Sequence, residues 1–282
     1  MSASDPAGTA SRGGAATQPL TAQRIDTTVA HPARRYNYWL GGKDNFAADR
    51  ESGDAVLAAF PTARAAALEN RAFMARAVTY LAREAGIRQF LDIGTGIPAP
   101  GNTHEVAQAV APESRVVYVD NDPIVMAHAR ALISGTAVGA TAYLEADLRD
   151  YPAILTAPEV TGTLDLDRPV GLLLVAVLHF LPDDADPYRL VSGLAAALPG
   201  GSYLVASHGT ADYVAPEVQA QLVEAMRHGA MYPRSRAGFA RFFDGLELVE
   251  PGVSPVADWR PEPGEHLSPA EASAWAAVAR IP

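Results

Sequence analysis

Downstream of residue 86 the chain alternates short apolar runs with amphipathic stretches of helical period. The runs at 89–93, 115–119, 142–145, 168–180 (RPVGLLLVAVLHF) and 201–208 (GSYLVASH) read as strands. The stretches at 103–111, 123–133 and around 187–198 read as helices between them. Pro123 suits a helix start, because its fixed φ is already helical and its missing N–H has no partner to lose there. The 168–180 run is apolar along its length instead of alternating, so a strand built from it needs cover on both faces, as in a parallel sheet flanked by helices. The predicted class is a doubly wound, Rossmann-like α/β fold. Helices at 216–227 and 235–243 precede a short strand, LELVE, and WAAVARI returns as a last strand. Residues 252–270, rich in proline and glycine, read as a connection.

Upstream of the sheet, Pro61-Thr62 opens a long helical pattern that Gly86 ends. Leu68, Met74, Val78, Leu81 and Ala85 fall near one face of it, and Glu69, Arg76 and Arg83 elsewhere. Residues 25–51 form an arm rich in aromatics and glycine. Residues 1–24 are small and polar without periodicity, and are expected to be a disordered tail. The expected organisation is a tail at 1–24, an arm and helix at 25–86 packing on the core, and one α/β domain at 87–282.

Composition narrows the partners. With 49% hydrophobic and 19% charged residues the chain reads as globular, and its net charge of −10 argues against a general nucleic-acid or membrane-surface binder. The longest apolar run, 170–180, is too short to span a bilayer. No basic segment followed by an apolar core opens the chain, so no signal peptide is expected, and a cytoplasmic protein fits best. The absence of cysteine removes disulfides, thiolate catalysis and cysteine-based zinc sites. Lys43 is the one lysine among 22 basic residues, and its compact ammonium is not interchangeable with arginine's planar fork.

The stretch FLDIGTGIPAPGNTHE, residues 90–105, follows the first strand. Ligands of open parallel sheets sit beyond the carboxyl ends of the strands, and Gly94 and Gly96 let a backbone approach a ligand closely. Gly94-x-Gly96-x-x-Ala99 satisfies a dinucleotide fingerprint. Two features oppose NAD: Pro98 and Pro100 interrupt the segment where a helix should begin beneath a pyrophosphate, and Asp92 is anionic beside the turn. A carboxylate there favours a cationic amino or sulfonium group. Asp120 ends the second strand, where a carboxylate accepts both ribose hydroxyls, and Asp147-Leu148 follow the third strand toward an adenine edge. A P-loop around Gly41-Gly42-Lys43 fails, because Asn37 stands where its first glycine belongs and Asp44 where a Ser/Thr should ligate magnesium.

From residue 25 to 282 the sequence resembles the class I S-adenosylmethionine-dependent methyltransferases, and specifically the actinobacterial S-adenosyl methyltransferase family, formerly a domain of unknown function. The marks are ARRYNYWLGGKDNFAADR, ENRAFMARAV, FLDIGTGIPAPGNTHEVAQ, VVYVDNDPIVMAHARALI, ADLRD, LLLVAVLHFLPDD and GSYLVASH. The resemblance implies a seven-stranded sheet, mostly parallel with an antiparallel last strand, and S-adenosylmethionine as cofactor, leaving S-adenosylhomocysteine. It implies that Asp92, Gly94, Thr95 and Gly96 surround the methionine portion, Asp120 holds the ribose, and Asn121, Asp147 and Leu148 flank adenine. The arm at 36–45, with Tyr36, Tyr38, Gly42, Lys43 and Asn45, closes over cofactor or substrate; the alternative is an aromatic anchor that packs the arm onto the core. Lys43 and Arg71 pair the methionine carboxylate, or Arg71 is a solvated helix charge. His104, beside Glu105, is cofactor-side or structural.

Methyl transfer is an in-line displacement at an activated carbon, so positioning supplies much of the acceleration and no obligatory catalytic residue follows. An acceptor hydroxyl or protonated amine still has to lose a proton. His179, after the central strand, is the candidate general base, and an imidazole hydrogen-bonded at a strand end is the alternative. His208 is a second candidate. The Asn/Asp-Pro-Pro-aromatic signature of amino-methyltransferases is absent at VLHFLPDD, which leans toward a small-molecule acceptor at oxygen, nitrogen or carbon and away from nucleic acid. No spacing suggests a metal; DNDP and PDDADP read as a ribose site and a helix-capping loop. A sensor that binds S-adenosylmethionine or S-adenosylhomocysteine without methyl transfer and an NAD-dependent oxidoreductase are the competing readings. The sequence assigns no oligomeric state.

Overall fold

The computed structural model describes residues 26–132, 138–226, 228–264 and 267–282. The tail expected at 1–24 lies outside the described residues, as do the last predicted residues, Ile133 and Arg227, of two helices. The strands are β1 (Gln89–Ile93), β2 (Arg115–Asp120), β3 (Ala140–Glu145), β4 (Gly171–Val175), β5 (Tyr203–Gly209), β6 (Glu247–Leu248), β7 (Ser254–Pro255) and β8 (Ala274–Arg280). They form one sheet in the order β3-β2-β1-β4-β5-β8-β6, with β7 also on β8. Strands β1 to β5 are parallel, and β8 runs antiparallel to β5. Glu247 pairs Arg280 and Ser254 pairs Ala276, so β6 and β7 are two pieces of a single edge laid along β8. Strand order reverses between β1 and β4, which opens a crevice above their carboxyl ends.

Eleven α-helices surround the sheet among the described residues. The first three are α1 (Pro32–Trp39), α2 (Ala47–Ala59) and α3 (Ala63–Arg83), followed by α4 (Thr103–Val110), α5 (Pro123–Leu132), α6 (Tyr151–Thr156) and α7 (Pro158–Thr161). Then come α8 (Pro187–Ala196), α9 (Pro216–Ala225), α10 (Arg236–Ala240) and α11 (Pro269–Ala272). None of them is long and apolar enough to cross a membrane.

Alternate residues of each central strand serve opposite cores, which accounts for the unbroken apolar runs. Leu91, Val117, Leu172, Leu174 and Leu204 pack on the α6–α8 side, with Phe239, Phe242 and Phe243 behind them. Phe90, Val116, Leu173 and Val205 pack on the α3 side around Trp259. Gly171 is required there, since a Cβ would stand 2.8 Å from the Phe90 ring. The predicted strand at 168–180 is shorter than its apolar run. It stops at Val175 because Ala176 takes a left-handed φ of 55°, and Leu178–Phe180 form a 3-10 turn.

In α3, Ala67, Asn70, Met74, Val78 and Leu81 share the buried face. Leu68 does not: it is 57% exposed, one residue and about 100° round the helix from Ala67. The arm holds two helices that periodicity does not show. The buried residues of α1 are Arg34, Arg35 and Asn37, polar side chains that carry no hydrophobic signal. Asp49 caps α2 by accepting from the Phe46 N–H at 2.8 Å and also holds the His31 N–H at 2.8 Å, which ties the two helices together. The 252–270 connection contains β7, a 3-10 turn at Val256–Asp258 and the start of α11.

Candidate functional site

A cavity of about 520 Å³ lies at the reversal of strand order, above the ends of β1, β2, β4 and β5 and roofed by α1, α2, α3 and α9. Its floor on one side is the glycine turn. Gly94 and Gly96 have φ of 79° and 68°, a region costly for any residue with a Cβ. A Cβ on Gly94 would also stand 2.5 Å from Val177, whereas Gly96 faces open space. The Gly94 N–H donates to the Val119 carbonyl at 2.8 Å and the Thr95 N–H at 3.3 Å, holding the turn against β2. Helix α4 starts only at Thr103, seven positions past Gly96, where the Asn102 and Glu105 side chains close a capping box.

Two buried carboxylates flank this turn. Asp120 accepts from the Gly96 N–H at 2.8 Å on Oδ2 and from the Asp122 N–H at 2.9 Å on Oδ1, so each oxygen keeps a lone pair for a further donor. Burial pushes its pKa up to about 6 against the pull of those N–H groups. Asp92 accepts from Thr103 Oγ1 at 2.6 Å, and burial likewise pushes it up to about 6, with Thr103 and Arg71 acting in the opposite direction. Beyond Asp120, the Asn121 amide donates to Asp147 Oδ2 at 3.4 Å. Asp147 is held down at about 2, chiefly by the side chain of Arg149 at 2.6–2.9 Å. Asp92, Gly94, Thr95, Gly96, Asp120, Asn121, Asp147 and Leu148 all line the cavity.

The arm divides. Tyr36 lines the cavity, donates to the Ala67 carbonyl at 2.9 Å and accepts from Asn70 at 3.1 Å. Asn70 in turn accepts from Ser207 Oγ at 2.6 Å, and Ser207 accepts from the Ala176 N–H at 3.0 Å. This relay joins the arm to the ends of β4 and β5. Arg71 also borders the cavity, with its guanidinium bonded to the carbonyls of Ala99, Pro100 and Gly101 at 3.4, 3.2 and 2.9 Å.

The remaining arm residues stand away from the cavity. Tyr38 bonds Asp54 at 2.7 Å on the outside, under the Arg64 guanidinium. Gly42 makes room for Asn37, which a Cβ would meet at 2.2 Å. Asn45 bonds Asn37 and the Gly42 carbonyl, both at 2.9 Å, and Lys43 is exposed. The GGKDN segment thus folds around Asn37 rather than over the cavity. His104 is buried between α4 and β2, with Nδ1 2.8 Å from the Tyr118 hydroxyl and no place in the cavity wall.

His179, after β4, and His208, near the end of β5, both line the cavity, in different states. The Gly209 N–H donates to His179 Nδ1 at 3.2 Å, so neutral His179 carries its proton on Nε2, which has no partner among the described residues. Burial, then His208, Arg35 and Arg234, hold His179 well below the ordinary histidine range. Both ring nitrogens of His208 are engaged: Nδ1 donates to the Gly209 carbonyl at 2.8 Å, and Nε2 lies 3.1 Å from Arg234. Burial lowers His208 to about 4. It therefore offers the cavity no basic nitrogen. Arg234 braces the 178–183 loop through the carbonyls of Leu178 and Leu181 and through Asp183. Arg35, Asn70, Ser207 and Arg234 have no sequence signal, because two of 21 arginines and two small polar residues look ordinary until the fold buries them.

The model of a family described as S-adenosyl methyltransferase matches residues 18–282. The crystal structure of a DUF574 family protein from Streptomyces avermitilis is 48% identical, covers 92% of this chain and 100% of that one, and superposes with a TM-score of 0.88. A candidate methyltransferase from Thermobifida fusca is 42% identical over 91% of this chain and 96% of that one, with a TM-score of 0.83. No curated protein matches the chain.

Proposed function

Because this chain belongs to the S-adenosyl methyltransferase family and takes S-adenosylmethionine as cofactor, we propose that Asp92 and Asp120 hold that cofactor and that its methyl group passes to a small-molecule acceptor at oxygen, nitrogen or carbon. The observation that carries this reading is the pair of buried carboxylates facing one cavity across a turn that has no Cβ at Gly94 or Gly96. The lone pairs left on Asp120 suit two ribose hydroxyls, and Asp92 suits a cationic neighbour that draws it back to its ionised form. Asn121, Asp147 and Leu148 suit the adenine end. Arg71 stands at the methionine end with part of its fork committed to backbone carbonyls.

When bound, the cofactor supplies a methyl carbon activated by a sulfonium. The protein's own work is to position the acceptor in line with that carbon and to exclude water. The far half of the cavity supports an acceptor with an apolar body: Trp39, Phe60, Phe180, Leu222, Met226 and Met231 line it. The arm at 25–86 roofs this half, and the domain at 87–282 provides the cofactor half. His179 presents Nε2–H there, a donor that orients an acceptor atom instead of a base that removes its proton.

Calorimetric titration with S-adenosylmethionine, S-adenosylhomocysteine and NAD tests the cofactor half. The first two bind and NAD does not; Asp120→Ala weakens binding by roughly 1.5–3 kcal/mol, the range for a lost charge-assisted hydrogen bond. An unchanged dissociation constant in that variant would sink the ribose assignment. Acceptor-dependent release of S-adenosylhomocysteine separates methyl transfer from sensing.

A further inference from the structure

Resting on the cofactor placement above, we propose that the acceptor is an apolar molecule bearing a carboxylate, bound between Arg35 and His179 Nε2–H and methylated on a carboxylate oxygen to give a methyl ester.

Arg35 is a buried cation whose guanidinium lies 5.7 Å over the Trp39 ring and feels the charge of Asp49 without contact at ion-pair distance. It is 2% exposed and lines the cavity, and its guanidinium bonds only neutral groups, Ser52 Oγ at 3.1 Å and the carbonyls of His228 and Gly229 at 3.3 and 3.4 Å. Its Nε has no partner, and no carboxylate lies within ion-pair distance of it among the described residues. The adjacent Arg34, by contrast, lies 3.8 Å from Asp49 and 3.6 Å from Asp122. A buried guanidinium left unpaired is costly, and the planar partner that matches its fork is a carboxylate.

His179 supplies a second, neutral donor to the same cavity, because Gly209 occupies its other nitrogen. The third feature is that neither histidine at this end of the cavity is free to act as a base. His208 is saturated on both nitrogens, and the carboxylates of Asp92 and Asp120 belong to the glycine-turn side. A phenol, alcohol or ammonium bound there would arrive with a proton that neither His179 nor His208 takes. A carboxylate arrives without one.

The step balances without any proton transfer. A carboxylate oxygen lone pair forms the O–CH3 bond, the S–CH3 bond breaks, and its electron pair stays on sulfur, so an anion and a sulfonium become an ester and a neutral thioether. Apolar walls favour such a step, because it neutralises two charges that are poorly solvated where water is excluded.

The test uses full-length protein saturated with S-adenosylhomocysteine and titrated with benzoate, 2-naphthoate, octanoate and dodecanoate, each against its alcohol and primary amine. At least one carboxylate binds about tenfold or more tightly than its neutral counterpart, as a charge-assisted pair requires. With S-adenosylmethionine that acid yields its methyl ester and an equal amount of S-adenosylhomocysteine by mass spectrometry. Arg35→Gln abolishes the preference while retaining S-adenosylhomocysteine binding, and Arg35→Lys keeps part of it. Should Arg35→Gln not fold, His179→Phe carries the test: it loosens the carboxylate and His179→Gln, which keeps a donor, restores it. Binding of S-adenosylhomocysteine with no carboxylate preferred over its alcohol or amine overturns the proposal and leaves the cofactor placement standing. Failure of S-adenosylhomocysteine to bind overturns both.

Discussion

Asp92 shows how the burial of a single group couples stability to pH. Its carboxyl is raised from an ordinary 3.8 to about 6 by burial, so in the free protein its ionised form is penalised. The sign follows from linkage: the contribution to stability is present at low pH and lost as pH rises through about 6. Asp92→Asn removes that loss, so the variant melts higher than the parent near pH 8, by at most roughly 3 kcal/mol, and the gain fades toward pH 4. The same substitution weakens S-adenosylmethionine binding, because a cationic ligand pulls the carboxyl back to its charged form. Affinity of the parent for S-adenosylmethionine correspondingly falls as pH drops through about 6, which calorimetry over that range measures. Both carboxylates were legible as candidate site residues, since Asp120 ends β2 and Asp92 stands one residue before the end of β1, beside the glycine turn. Their raised pKa values were not, because burial depends on the roof that α1 to α3 provide.

At the scale of elements, α3 couples the core to the cavity roof, and its two faces differ sharply. Phe73 is fully buried edge-on to Trp259 at 5.5 Å between ring centroids, whereas Leu68 faces water. Phe73→Ala costs about 3–5 kcal/mol by transfer and cavity terms, while Leu68→Ala stays within about 0.5 kcal/mol; urea unfolding of the two variants checks the contrast. The pattern of Met74, Val78 and Leu81 identified this helix, yet it misplaced Leu68 by about a third of a turn. Helix α1 had no such pattern to read. Its inner face is Arg34, Arg35 and Asn37, held by hydrogen bonds and ion pairs with partners that include residues 228 and 229, some 190 positions away.

Across the whole molecule, the reversal of strand order between β1 and β4 sets the cavity, and the arm with α9 covers it. Ser52 bonds the Ala225 carbonyl at 2.9 Å and Arg35 bonds the carbonyls that follow α9, so roof and lid are one assembly. Ligand binding should therefore protect distant segments together. At a hundredfold excess over its dissociation constant, S-adenosylhomocysteine stabilises the protein by about 2.7 kcal/mol, seen as a rise in melting temperature. Amide exchange slows in β1, β2 and the glycine turn; an additional slowing in α2 and α9 would show that the roof closes on the cofactor.

The run of strands, the glycine turn and the acidic ends of β1 and β2 were written in the chain, because apolar period and turn chemistry are local properties that each segment carries with it. A specific family pattern could likewise be read from contiguous motifs. The states of His179 and His208, the burial of Arg35 and the departure of Lys43, Tyr38 and Asn45 from the cavity are of another kind. Each depends on which backbone N–H, carbonyl or carboxylate another part of the chain brings alongside: Gly209 for both histidines, Gly229 for Arg35 and Asn37 for the glycine arm. Hydrogen bonds and ion pairs between remote segments leave no period in the sequence, so only the folded chain decides them.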